Sequence, residues 1–348
     1  MKKLYPLKFA ALPVEKRWGG EAFAAKFADY AREMAESGEE IDLHHIGESF
    51  ELYEEGSNDS SVVLNGFLAQ NDLYSLIETY LGELVGDNIY EFFGNQFPLL
   101  IKFLDIEGRL SVQVHPDDET AAERYDCLGK SEFWYVVDAK PDAKIYMGFN
   151  RETTPTEFYE KCKDETAPEL MNVFHPRRGE CFYIEAGTVH AAEGGVVIAE
   201  IQENSNATLR LYDWGFENNP ATRREMHLEE AIDCINYGKY DEARLHLAPE
   251  QAVGQVCDCR HFTINVLPLR KPCDVAVDEY NSFILYMCLT GSASIDWPDG
   301  VETVSAGESV LIPASMDDFT IVPDEGGVIL LEAHIKHIEE EEDDYVKK

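Results

Sequence analysis

Positive charge is scarce in this chain: 29 Lys and Arg stand against 67 Asp and Glu, for a formal net charge of -38 over 348 residues. Nucleic acids and anionic membranes would both be repelled, which excludes nonspecific binding to either. A phosphorylated ligand would be repelled too, so a site for one must gather cations locally. No apolar run approaches the roughly 18 residues of a membrane span. The N-terminal stretch is interrupted by Pro6, Lys8, Pro13 and Glu15 and does not read as a secretory signal. The eight cysteines include no CxxC pair. Cys257 and Cys259 form a lone CxC, read as two strand thiols and not as half a metal site. Reduced thiols in a cytoplasmic protein are the simplest expectation.

What is present is an apolar, aromatic-rich composition long enough for about two domains. Residues 20–37 carry Phe23, Phe27, Tyr30 and Met34 at helical spacing, with Gly38 as a stop. Residues 71–93 repeat the pattern with Leu73, Leu76, Ile77, Tyr80, Leu81, Leu84 and Val85. From Pro98 the period changes to short strands: FPLLIKFLD, RLSVQVH, EFWYVVDA, AKIYMGF, GECFYIEAGTVH and GVVIAEIQEN. Helical insertions are expected around residues 156–162 and after Pro220. A second strand series begins after about Asp241. The fold class is therefore mainly β with helical insertions: two jelly-roll barrels, cupin-like by the resemblance of GECFYIEAGTVH to a cupin motif, plus a helical segment. The domains are drawn at 1–240, catalytic, and 241–348, ending in the acidic run 339–344, read as a solvated tail.

Three clusters carry chemistry. In SVQVHPDD, strand alternation puts Gln113 and His115 on one face, and Pro116 ends the strand. In GKSEFWYVV, Glu132 opens an apolar strand, where a carboxylate is costly unless it is paired or bound to a metal; Lys130 lies two residues before it. In GECFYIEAGTVH, a turn at Gly187 returns the chain so that the next strand begins with the inward imidazole of His190. Gln113, His115, Glu132 and His190 together offer two N and two O donors. Such a set suits zinc and admits manganese, iron or cobalt. The corresponding turn of the second strand series, from Gly307 to Pro313, has Asp318 at the ligand position and no upstream partners. It is read as a metal-free repeat, with His246, His261, His334 and His337 as surface or core residues.

In order along the chain, WGG at 18–20, IGES at 46–49, FPLLIKFLD at 97–105, LSVQVHPDD at 110–118, GKSEFWY at 129–135, AGTVHA at 186–191 and NSNATLRLYDWG at 204–215 resemble the type I phosphomannose isomerases in their short bacterial form. The match departs at Phe50, where the family usually has Trp, and at Glu185, where it usually has Pro or Ser. The resemblance implies one zinc per chain held by Gln113, His115, Glu132 and His190. It implies an essential Arg210, with Ser111 and Lys130 near the phosphate of a sugar-phosphate substrate. It also implies interconversion of mannose 6-phosphate and fructose 6-phosphate through an enediolate. Glu200, in the otherwise apolar strand after His190, is the expected proton-transfer base. Arg210 suits the enediolate or the phosphate, because its planar fork binds oxyanions. The competing readings are a sugar-phosphate-binding cupin without turnover, an isomerase of another sugar phosphate, and an iron oxygenase, for which Gln113 is an odd ligand. Oligomeric state is not legible.

Overall fold

The computed structural model describes residues 2–56 and 59–336; His337 and the acidic run 339–344 lie outside the described residues. The chain is mainly β with helical segments. It divides into two compact units.

One unit comprises Leu12–Phe50 and Leu99–Gln251. Its strands are β1 (Leu12–Gly20), β2 (Ile46–Leu52), β3 (Leu99–Ile106), β4 (Val112–Val114), β5 (Glu132–Ala139), β6 (Lys144–Phe149), β7 (Met171–Phe174), β8 (Cys181–Ile184), β9 (His190–Glu193), β10 (Val196–Glu203), β11 (Leu209–Tyr212) and β12 (His246–Leu247). They form a seven-stranded sheet in the order β1-β2-β3-β10-β5-β8-β12 and a five-stranded sheet in the order β11-β4-β9-β6-β7. Leu104, Trp134, Val136 and Ile198 of the first sheet share a buried cluster with Ile145, Met147 and Ala192 of the second, so the two sheets pack face to face. The outer face of the five-stranded sheet (Val112, Val114, Ala191, Leu209, Leu211) packs instead on Phe158 and Cys162 of the helix Pro155–Lys163 and on Leu228 and Ala231.

Side chains alternate along a strand, so these two clusters fix where every other residue points. Gln113 lies between Val112 and Val114, and Arg210 between Leu209 and Leu211, so both face inward between the sheets. His190 shares the parity of Ala192. Lys102 shares that of Leu104, and Glu200 that of Ile198. The inward rows are thus apolar at one end of the sandwich and polar at the other.

The second unit comprises the described parts of Met1–Ala11, Glu51–Pro98 and Ala252–Lys348. Its seven-stranded sheet runs β13-β14-β19-β16-β17, with β15 paired to β19 and β18 to β16, where β13 is Gly254–Asp258, β14 Thr263–Leu269, β15 Cys273–Val275, β16 Ile284–Trp297, β17 Gly300–Ser305, β18 Ser309–Ile312 and β19 Phe319–His334. The expected turn at Gly307 is present, with φ +85°. Asp318 accepts a hydrogen bond from the Val277 N–H at 3.1 Å.

The helical stretch 71–93 belongs to this unit and is three short helices, Leu73–Tyr80, Gly82–Val85 and Asp87–Phe93. Asp72 caps the first by accepting from the Ser75 N–H. Leu81, expected on the buried stripe, is exposed, because the chain breaks there with φ +52°. The stretch 20–37 is helical only over Ala28–Ser37, ended by a left-handed Gly38. The long helix expected after Pro220 reduces to Leu228–Ala231 and one 3-10 turn. There Arg224 is drawn to Asp213, and His227 exchanges hydrogen bonds with the Arg210 backbone, accepting at 3.1 Å and donating at 2.8 Å. Tertiary contacts override local helix preference.

Between β8 and β9 the turn depends on Gly187, at φ +85°, where an added Cβ would lie 2.9 Å from the Cys234 carbonyl oxygen. Gly187→Ala is expected to destabilise the unit by about 1–3 kcal/mol, read as a lower midpoint in chemical denaturation with an unchanged slope.

Candidate metal centre and active site

The polar end of the sandwich is assembled by strand register. Gln113 on β4 stands opposite His190 on β9 and opposite Arg210 on β11. On the facing sheet, Glu200 of β10 lies between Lys102 of β3 and Trp134 of β5, and Gln202 pairs with Glu132. His115, one residue past β4, reaches the same place. Its carbonyl accepts the Gly187 N–H at 2.8 Å, which ties the His190 turn beneath it.

His115, Glu132 and His190 each bring a donor atom within 4.8 Å of the others, and all three are buried. The His115 Nδ1–H donates to the Ala207 carbonyl and the His190 Nδ1–H to the Thr188 carbonyl, both at 2.9 Å. A carbonyl can only accept, so both rings carry their proton on Nδ1 and turn the Nε2 lone pair toward the centre. This is how metal-binding imidazoles are oriented.

His115 Nε2 lies 3.1 Å from Glu132 Oε1, and His190 Nε2 lies 3.5 Å from Oε2. Even so, His115 Nε2 and Glu132 Oε2 are buried without a hydrogen-bond partner. Buried polar atoms left unpaired are costly. Here two of them converge with a third lone pair, which is the arrangement a divalent cation satisfies. The Gln113 amide is 3.2 Å from His190 Nε2 through its nitrogen, and a half-turn of the amide presents its oxygen there instead. Ser111, also buried, approaches the Gln113 oxygen at 3.4 Å.

The electrostatics agree with a cation site. Burial pushes His115 down to about 4, and the Glu132 carboxylate recovers only part of that shift. His190 is lowered for the same reason. Burial alone would raise Glu132, but Lys130 and then His115 hold it well below the usual carboxylate range. The centre is thus an ionised carboxylate between two neutral imidazoles.

Lys130 is buried with its ammonium 3.0 Å from Glu132 and 2.9 Å from the Gln202 amide oxygen. Glu200 accepts the Trp134 indole N–H at 2.6 Å and lies 2.9 Å from the Lys102 ammonium. Its pKa is raised by burial and by Glu132, against the pull of Lys102 and Lys130. Arg210 is half-buried. It donates to the Glu225 carbonyl at 2.7 Å and keeps a buried, unpartnered Nε. Burial, and after it Arg224, lowers its pKa.

Sequence reasoning did not single out Lys102 or Glu48. Lys102 lies 3.7 Å from Glu48, which pairs with Lys16 at 3.0 Å. Burial would lower Lys102, but Glu200 and Glu48 outweigh it and raise its pKa. The available signal was a lone lysine inside FPLLIKFLD, since a lysine between buried strand residues needs a carboxylate partner. Phe50, the departure noted above, has its ring 5.7 Å from the Lys102 ammonium.

A β-sandwich whose inner faces present a His–Glu–His set with lone pairs converging defines a metal-binding protein of the cupin type. Residues 14–153 match the catalytic domain of type I phosphomannose isomerase. The chain is 31% identical over 326 residues to the probable mannose-6-phosphate isomerase GmuF of Bacillus subtilis, covering 91% of this chain and 96% of that protein. It is 30% identical over 325 residues to mannose-6-phosphate isomerase ManA of the same organism, covering 91% and 95%. The crystal structure of the Bacillus subtilis mannose 6-phosphate isomerase superposes with a TM-score of 0.77 at 27% identity, covering 95% of this chain and 99% of that one. The chain belongs to the type I phosphomannose isomerase family.

Removing one partner of a buried ion pair leaves the other charge stranded. Lys102→Ala is therefore expected to cost about 3–5 kcal/mol of stability, measured by urea denaturation. Lys102→Met with Glu200→Gln should recover much of the loss; equal destabilisation in the double variant would show that the pair is not the cause.

Proposed function

We propose that the protein interconverts mannose 6-phosphate and fructose 6-phosphate, using one zinc ion held by Gln113, His115, Glu132 and His190. The observation that carries this reading is the buried pair of unpartnered atoms, His115 Nε2 and Glu132 Oε2, beside the His190 lone pair. Nitrogen and oxygen donors without thiolate suit zinc and also admit manganese, iron or cobalt; zinc is the ion that the family resemblance implies. Catalysis is assigned to the unit Leu12–Phe50 with Leu99–Gln251, which lies almost wholly within the span 1–240 drawn from sequence.

The reaction moves one proton between C1 and C2 of the sugar, and a second between the two oxygens. A divalent ion held at this site supplies Lewis acidity beside the reacting oxygens. Glu200 is the base that takes the carbon-bound proton and returns it to the neighbouring carbon. Its raised pKa brings a carboxylate closer to the working pH, as general base catalysis requires. Trp134 and Lys102 fix its two oxygens, and each oxygen retains a lone pair for the proton. Lys130 keeps Glu132 ionised and oriented. Arg210 offers its unpartnered Nε–H to the negative charge that develops on the enediolate oxygens. Ser111 adds a neutral donor on the same inner face.

The primary test is a coupled isomerase assay on several hexose phosphates before and after chelation. His190→Ala should lose metal, by elemental analysis, and turnover together. Full activity of that variant after dialysis against chelator would overturn the site. Arg210→Ala is expected to lower kcat by about 10²–10³-fold with a small change in KM. Lys130→Ala should lower both kcat and metal affinity, because Glu132 then lacks its nearest positive charge. If Arg210→Ala changes only KM, the arginine anchors the phosphate instead.

A further inference from the structure

Lys130 is buried and committed to Glu132 and Gln202, and Lys102 to Glu200 and Glu48, so neither ammonium is free to take a phosphate. Lys16 is likewise held by Glu48, at 3.0 Å, and beside these ammonium groups stand three guanidinium groups, those of Arg17, Arg210 and Arg224. Arg17, on β1, donates from Nη2 to Asp213 at 2.5 Å and from Nη1 to the Thr222 carbonyl at 3.3 Å, and its guanidinium lies over the Phe216 ring at 3.9 Å. Arg224 grips the same carboxylate with two bonds, at 2.7 Å and 3.1 Å. The Asp213 side chain is 0% exposed, whereas those of Arg17 and Arg224 are 27% and 29% exposed. The anchor is thus buried and the two forks it holds reach solvent.

Arg210 lies close enough to be repelled by both Arg224 and Arg17. Arg210 donates to the carbonyl of Glu225, the residue after Arg224, so three guanidinium groups gather around a buried carboxylate that two of them grip. Glu225, the other acid near Arg210, points its carboxylate outward, at 85% exposed. The cluster carries a local surplus of two positive charges in a chain whose net charge is -38. Like charges are brought together at such cost where an anion is to be received, and planar guanidinium forks match phosphate oxygens. Arg210 stands opposite Gln113 in the sheet, which links the cluster, through Arg210, to the candidate metal donors.

We propose that Arg17 and Arg224, aligned by Asp213, bind the phosphate monoester of the substrate, while Arg210 between them and Gln113 faces the reacting end. Asp213 is a positioning residue: it touches no substrate and acts through the two arginines it holds. This assignment rests on the sugar-phosphate reading above. It moves the phosphate from Lys130, where the sequence placed it, to a pair of residues that the sequence did not single out.

The experiment uses the zinc-loaded full chain. Arg17→Gln and Arg224→Gln are each expected to raise KM for mannose 6-phosphate at least tenfold with kcat within threefold of wild type. They should also weaken binding of inorganic phosphate, measured by calorimetry, by a similar factor. Arg17→Lys keeps the charge but not the fork, and should recover only part of the loss. Asp213→Asn should raise KM in the same way, and its melting curve reports whether it folds. Loss of kcat with KM unchanged in the two arginine variants, or phosphate binding equal to wild type, overturns the proposal. A wild type that binds phosphate but turns over no hexose phosphate would instead overturn the isomerase reading and leave the anion site standing.

Discussion

Three carboxylates, two ammonium groups and two uncharged imidazoles, far apart in sequence, are buried in contact with one another on the inner faces of a β-sandwich, and the site depends on how they divide their charge. Glu48 and Glu200 share Lys102, and Glu132 takes Lys130. Lys16 pairs with the other oxygen of Glu48, so the charges nearly cancel, and what Glu132 retains is one buried oxygen without a partner, flanked by imidazole lone pairs. A divalent cation would satisfy these converging donor atoms, and the apolar rows that close the other end keep the dielectric low. The sheet pairing supports the arrangement. β10 lies between β3 and β5, so Lys102, Glu200 and Trp134 fall in one row across three strands without any loop having to place them.

Much of this was legible as pattern. The alternation in SVQVH placed Gln113 and His115 on one face, and the glycine turn before His190 predicted an inward imidazole; both geometries are present. The carboxylate at the head of an apolar strand, Glu132, is buried and paired with Lys130. Less was legible where meaning depends on partners far away in sequence. Lys102 is one residue among apolar neighbours until Glu200, 98 positions on, stands beside it. Arg17, Asp213 and Arg224 have no local signature, because a salt-bridged cluster has no period. The segment after Pro220 carries helical spacing, but His227 is drawn to β11 and Arg224 to Asp213, and the helix shortens to Leu228–Ala231 and one 3-10 turn. Leu81 fell off the expected stripe for a similarly local reason, a left-handed break that hydrophobic periodicity does not record.

The charge distribution separates two roles that a single net value hides. The acids that give the chain its negative charge are mostly exposed, and they act at long range, where salt screens them within about 10 Å. The guanidinium groups act at contact distance. Capture of an anion by such a protein has a slow approach and a firm grip: encounter is opposed by the far field, and retention depends on a few directional bonds. Ionic strength should then favour association more than it weakens the bound state, the reverse of what a basic enzyme shows with the same ligand.

The two imidazoles are oriented by peptide carbonyls, those of Ala207 and Thr188, and the turn beneath them is held by the His115 carbonyl. A peptide carbonyl is supplied by every amino acid, so the identity of the residue that offers it is of little consequence so long as the backbone keeps its path. Orientation of the ligands is in this sense insured against substitution at positions 188 and 207. The departure at Glu185, on the approach to the same turn, leaves these main-chain bonds in place. What cannot drift is the one residue whose lack of a side chain lets the chain take that path. The geometry of the centre therefore depends on the side chains of His115, Glu132 and His190 and on a glycine, while positions 188 and 207 contribute only the path of the main chain.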